Sequence, residues 1–277
     1  MKTIARTFLA ALLVATGSAF ADSVAFLTNL KGEVAVDANT RPLILAELAK
    51  GQKIVLARDA QASVMFIASG KEYFLKGPCE YFVKDKEIES ASGMPPMSRS
   101  TEWRASNKAL SQVAQTSSAS VRMRSFAPPK KDNAPRLLFP TQGGIATLQP
   151  EMRWRAQGVK SPLEVVVIVP GQEKPVHVGK ASGDAYRIAP SLKPDTEYEW
   201  RLMAAGDEIG SAKFRTLPAD AIRDIDKRKP SDKAEFSDRV LFALYLLEKG
   251  AVQEAQASWA KLSQERADLP ELAALAR

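Results

Sequence analysis

The sequence predicts a mainly β protein in which two β-modules are separated by a linker and followed by a C-terminal helical hairpin. Two stretches, 22–89 and 135–218, hold short runs rich in Val, Ile, Phe and Tyr, punctuated by Gly and Pro, the pattern of strands joined by tight turns. The stretch between them, 90–134, changes to Ser, Ala, Pro, Met, Gln and Arg. From Asp220 the apolar residues recur at intervals of three and four, which places helices in 219–277.

Residues 1–21 read as an export signal. Lys2 and Arg6 precede the apolar run FLAALLVA, and Ala19 and Ala21 carry the small-x-small spacing of a cleavage site, so the mature chain is expected to begin near Asp22 in the periplasm. An uncleaved anchor needs about 20 continuous apolar residues, and this core is interrupted at Thr16, Gly17 and Ser18. Later runs such as VMFIA and LEVVVIV are strand-sized, so no integral membrane segment is expected after cleavage. Cys79 is the one cysteine and lies well inside the mature chain. Neither a lipid-carrying N-terminal cysteine nor an internal disulfide is therefore available, and packing must supply the stability. Removing the leader lowers the formal charge from +7 to +5, an ordinary solubility surplus. No aromatic platform alternates with a basic stripe, and nucleic acid is not an expected partner.

In 22–89 the strands are VAFL, GEVAV, KIVLA, SVMFIA, EYFLKG and YFVK, with turns at Gly32, Gly51, Gly70 and Gly77-Pro78. LILAELAKG reads either as a helical turn ending at Gly51 or as a strand and hinge. The series Gly32-x-Val34, Gly51 before Ile54-Val55-Leu56, Ala62-Ser63-Val64 with Phe66, and Gly70 before Tyr73-x-Leu75 resembles the FecR-type periplasmic domain. The resemblance implies a small all-β fold and an envelope location. The sensors of that family carry a membrane span and a regulatory segment ahead of this domain, where this chain has an export signal. In the linker, Pro95-Pro96 and Pro128-Pro129 favour extended chain, with a short helix possible around TEWRASNKALSQVAQ. Arg99, Arg104, Lys108, Arg122, Arg124, Lys130 and Lys131 face only Glu102 and Asp132 there, which reads as a solvated basic tether.

In 135–218 the strands are MRWRA, LEVVVIV, VHVGKA, AYRIA, YEWRLMA and AKFRTL. SLKPDTEYEWRL sets Leu192, Pro194, Thr196 and Tyr198 at the spacing of a tyrosine corner, in which the phenol bonds back to the preceding loop. With Trp154 in an early strand and Lys213-Phe214-Arg215-Thr216 closing the stretch, the segment resembles a fibronectin type III domain. The resemblance implies a β-sandwich with Trp154 packed between its sheets.

The hairpin comprises FSDRVLFALYLLEKG, with Val240, Leu241, Leu244 and Leu247 as its stripe, Ser237 as a candidate cap and Gly250 as its end. The second helix, AVQEAQASWAKLSQERADL, has Val252, Ala255, Trp259 and Leu262 in register, with Pro270 expected to close it. Ala243, Gly250, Ala255 and Trp259 fall where a tetratricopeptide repeat puts its small residues, turn and aromatic, so the hairpin resembles one such unit. It departs from that pattern in Leu246, where a tyrosine is usual, and in the late Pro270. One unit cannot bury its own apolar face. It must dock on its own β-module, on another copy or on a partner, and the first needs no added assumption.

No catalytic constellation emerges. His177 and Cys79 are the only residues of their kinds, which leaves a structural zinc site unbuildable in the usual way. His177 lies in the alternating PVHVG strand without a nucleophile in a G-x-S-x-G or cysteine context. Glu87 with Glu89 and Asp224 with Asp226 alternate with basic residues like solvated surface. Gly143-Gly144 lacks the lysine and strand-to-helix context of a phosphate loop. The expectation is a non-catalytic exported binding or scaffolding protein of the cell envelope, without cofactor or metal, whose partner is a protein or cell-wall polymer. A sensor component that contacts a membrane regulator and a glycan hydrolase are the alternatives.

Overall fold

The computed structural model describes residues 23–101, 135–159 and 162–276. The leader, the basic residues from Arg104 to Lys131 with Glu102 and Asp132, and nearly all of the short helix considered in the linker lie outside them. The chain is mainly β, with 40% strand and 19% helix.

The first module contains β1 (Ser23–Lys31), β2 (Val34–Val36), β3 (Glu47–Ala49), β4 (Lys53–Leu56), β5 (Gln61–Phe66), β6 (Lys71–Lys76), β7 (Cys79–Val83), β8 (Ile88–Ser90) and β9 (Met97–Ser100). They form two antiparallel sheets, ordered β3-β1-β5-β6-β9 and β2-β4-β7-β8. LILAELAKG resolves as a turn followed by β3: Leu45 sits at φ 64, and its N–H donates to Leu27 O at 2.8 Å. The linker starts later than residue 90. Met97–Ser100 pairs with β6, Phe74 opposite Met97 and Glu72 opposite Arg99, so this segment completes the first sheet.

The second module contains β10 (Arg136–Phe139), β11 (Gly144–Ile145), β12 (Glu151–Arg155), β13 (Leu163–Ile168), β14 (His177–Ala181), β15 (Ala185–Arg187), β16 (Glu197–Ala204) and β17 (Asp207–Thr216). Sheets β10-β12-β15 and β11-β17-β16-β13-β14 face each other over a core that includes Met152, Trp154, Val165, Val167, Trp200 and Leu202. Trp154 is 1% exposed, its ring 6.3 Å from that of Trp200 across the sandwich. Tyr198 is fully buried against Phe214, and its Oη accepts the Lys193 N–H at 2.9 Å. That bond fixes the turn leading into β16 to the strand itself, as the Leu192–Tyr198 spacing predicts.

The helical region is larger than a hairpin. It comprises α1 (Ala219–Arg228), α2 (Phe236–Glu248), α3 (Val252–Glu265) and the short α4 (Glu271–Leu275). Ser237 does not cap α2. The N-cap is Glu235, with no side-chain capping bond, and Ser237 lies inside the first turn, buried, accepting from Arg99 Nη2 at 3.2 Å. Pro270 does not close α3, which ends near Arg266, but opens α4, where its fixed φ and missing N–H cost nothing. The buried surface of α2 is wider than one stripe: Phe236, Val240, Phe242, Ala243, Leu244 and Leu246 are all buried, whereas Leu247 is only partly so. Such burial requires neighbours on more than one side. They are α3 and β1.

The helices therefore dock within the chain, and on the first module. One apolar cluster includes Phe26, Val64 and Phe66 of the first module together with Val240, Leu244, Trp259 and Leu272 of the helices. The sandwich core is a separate cluster.

Candidate functional site

The residues that combine charge, burial and long-range contact lie at two seams where the helices meet the β-modules. At the first seam Glu72 of β6 is completely buried. Its Oε1 accepts from Thr28 Oγ1 at 2.8 Å, and its Oε2 from Arg99 Nε at 2.8 Å. The same guanidinium reaches Asp238 of α2 through Nη2 at 2.7 Å and Nη1 at 3.1 Å. Arg99 is thus no part of a solvated tether but the bridge between a buried carboxylate and the docked helix. The fork geometry of a guanidinium lets it serve both carboxylates at once. Burial alone would lower the Arg99 pKa; the hydrogen bonds to Asp238 and Glu72 outweigh it and hold the charge on.

Further along the seam Arg266, at the end of α3, donates to Asn29 Oδ1 at 2.8 Å and to Leu30 O, with Asp268 on its other side at 2.7 Å. Glu271 of α4 accepts the buried Ile44 N–H at 3.0 Å, next to the positive-φ Leu45. A side chain of that bulk is costly in the left-handed region, and α4 and β1 clamp the turn from both sides.

Beside this clamp opens a crevice of about 670 Å3, with Leu30, Val34, Pro42, Leu43, Leu269 and Pro270 among its walls. Leu43 is 42% exposed there. Glu33 and Arg41, both exposed, line it too, with Asp268 and Glu271, which already hold Arg266 and the Ile44 N–H. Concave apolar surface with a few polar groups is the usual make-up of a recognition site. A second cleft, of about 390 Å3, is lined by Arg99, Lys227, Arg228 and Asp238, but its Arg99 charge is already committed to the two carboxylates.

At the second seam the first turn of α3 serves the backbone of the sandwich. Gln253 Oε1 accepts from Thr141 N at 2.6 Å, and its Nε2 donates to Thr141 Oγ1 at 2.9 Å. Glu254 Oε1 accepts from Ala146 N at 2.7 Å. Gly144 N–H donates to Gly250 O at 3.2 Å. A Cβ at Gly144 would stand 2.6 Å from Leu217 Cδ2 and 2.9 Å from Gly250 O, so the close approach of the two backbones accounts for the glycine. Gly143-Gly144 is a contact element between sandwich and helices.

The other sequence candidates are dispersed. His177, on the edge strand β14, has Nε2 2.8 Å from Tyr186 Oη and its ring stacked on that phenol; burial lowers its pKa. Gly179 makes room for this pair, since a Cβ there would lie 2.0 Å from Tyr186 Oη. Cys79 Sγ is 3.2 Å from Ser90 Oγ. Burial pushes this thiol up, and hydrogen bonds from Ser90, Ser92 and Tyr81 outweigh it, leaving the pKa lowered. Glu89 pairs with Lys84 at 2.9 Å on the surface, and Asp224 and Asp226 are exposed on α1. Among the described residues no three His, Cys, Asp or Glu side chains are grouped to hold a metal ion, and no helix is long and apolar enough to cross a membrane.

Sequence reasoning missed Glu72, Asp238, Glu254 and Glu271. Glu72 and Glu271 are buried and Asp238 and Glu254 partly so, and the partners that bind them all lie far away in the sequence. Comparison with known proteins yields no matching family model and no matching characterised protein.

Proposed function

We propose that this chain is an exported, non-catalytic binding or scaffolding protein of the cell envelope that engages an extended apolar segment of a partner protein in the crevice between the first module and α4. The observation that carries this reading is the crevice itself, where Leu43, at 42% exposure, stands against Leu269 and Pro270 on a clamped turn. A rigid apolar wall of this kind binds with little ordering cost.

The proposed architecture is a FecR-like first module, a fibronectin type III-like second module and a tetratricopeptide-like helical pair. The sheet orders β10-β12-β15 and β14-β13-β16-β17 and the Tyr198 bond to Lys193 support the second of these. In a tetratricopeptide array the next repeat covers the apolar face of the last; here the first module's sheet takes that place, which supports a docked single unit.

The test is site-specific photo-crosslinking in intact cells. A photoreactive residue at position 43 is expected to capture a discrete protein, whereas one at Lys213, on the outer face of the sandwich, captures none. Equal labelling at both positions, or turnover of a glycan substrate abolished by replacing a single carboxylate, would overturn the reading.

A further inference from the structure

We propose that the seam between the sandwich and the helices is a proton-operated latch, in which the Glu254 side chain fastens α3 to the segment after β11 more firmly when it carries a proton. The geometry is that of a half-satisfied acid, partly buried as a residue but with its second oxygen shut away from solvent. Oε1 accepts from the Ala146 N–H at 2.7 Å, while Oε2 is buried in the seam without a hydrogen-bond partner. An ionised carboxyl in this position holds a charged oxygen away from water with nothing to answer it. Protonation at Oε2 removes that charge and leaves Oε1 free to accept from Ala146 as before. The seam has little slack beside this point, because a Cβ at Gly144 would stand 2.6 Å from Leu217 Cδ2 and 2.9 Å from Gly250 O.

The surrounding elements carry charges of their own. Arg215 on β17 is paired with Asp195; Lys249 follows α2; Asp220, Arg223 and Asp224 lie on α1; and Lys261 lies on α3 itself. The titration of Glu254 is set by none of these. Burial raises it above the ordinary value of 4.5, against the opposing pull of the Ala146 and Glu254 backbone N–H groups.

The sign follows from linkage. A carboxyl that holds its proton more tightly in the closed seam makes the closed form bind more protons than the open one. Closure is then firmest below the ordinary carboxyl value, weakens as pH rises above it, and levels off beyond the raised value. The latch operates whichever partner occupies the crevice, since it involves the opposite seam.

The experiment is amide exchange at Ala146 in the full chain between about pH 4 and pH 8, corrected for the intrinsic rate, in wild type and in Glu254→Gln. The glutamine carbonyl retains the bond to Ala146 and cannot ionise. Wild-type protection is expected to fall with rising pH, about tenfold for each unit by which closure displaces the carboxyl, and the Glu254→Gln profile is expected to be flat. A flat wild-type profile, or the same slope in both proteins, overturns the latch. Should the variant not fold, direct titration of the wild-type Glu254 carboxyl carbon decides: a raised midpoint supports the latch and an ordinary one overturns it.

Discussion

The two β-modules bury their strands in different ways. β12, β13 and β16 bury every second residue, whereas β1 buries Ala25–Thr28 in succession and β5 buries Ala62–Phe66. Alternation is the mark of a sheet with one covered face, and a continuous run the mark of a sheet covered on both. The sandwich supplies its own cover, one sheet against the other. The five-stranded sheet of the first module needs a second layer, and that layer arrives on a helix whose Asp238 lies 139 residues beyond its Arg99 partner. The comparison teaches that the core of the second module is closed by its own two sheets, whereas the apolar cluster of the first is completed by helices that follow the second in the chain.

The strongest way to break this comparison is truncation. Ending the chain before Phe236 should abolish cooperative thermal unfolding of the first module and expose apolar surface to a reporter dye, while the sandwich retains its own transition. Two intact transitions would mean that the first module closes its core unaided. Next in size is Arg99→Ala. It strands the buried Glu72 carboxylate and is expected to cost about 3 to 5 kcal/mol of first-module stability, as measured by denaturant unfolding. A loss below about 1 kcal/mol would class the bridge with surface ion pairs. The smallest effect belongs to the sandwich: Tyr198→Phe removes one hydrogen bond and should cost about 1 kcal/mol, confined to the second transition. An unchanged melting curve would remove the corner from the account.

How much of this was legible beforehand follows from the range of each interaction. Tyr198 reaches back five residues, so its partner stands in the same short motif, and the six strands expected in 135–218 appear where the alternation places them. Arg99 finds Glu72 at a separation of 27 and Asp238 at 139, and nothing in the Pro- and Ser-rich surroundings of Arg99 records either. Gln253 and Glu254 read as the polar face of a helix because the groups that donate to them are the backbone N–H groups of Thr141 and Ala146, 112 and 108 residues away. The double cover of the first module was, in contrast, written in VAFL and SVMFIA, continuous apolar runs rather than alternating ones. Periodicity alone marks such a run as buried on both faces without saying by what.

The central claim is that the first module and the C-terminal helices fold as one body, separate from the sandwich. Native-state amide exchange on Trp259→Phe tests it most directly, because Trp259 is fully buried in the shared cluster and this change should cost only about 1 kcal/mol, leaving the chain folded. The account predicts that the strand amides of β1 and β5 lose the same protection as those of α2 and α3, with β13 and β16 unchanged. Loss confined to the helices, with β1 and β5 as slow as in wild type, would contradict it.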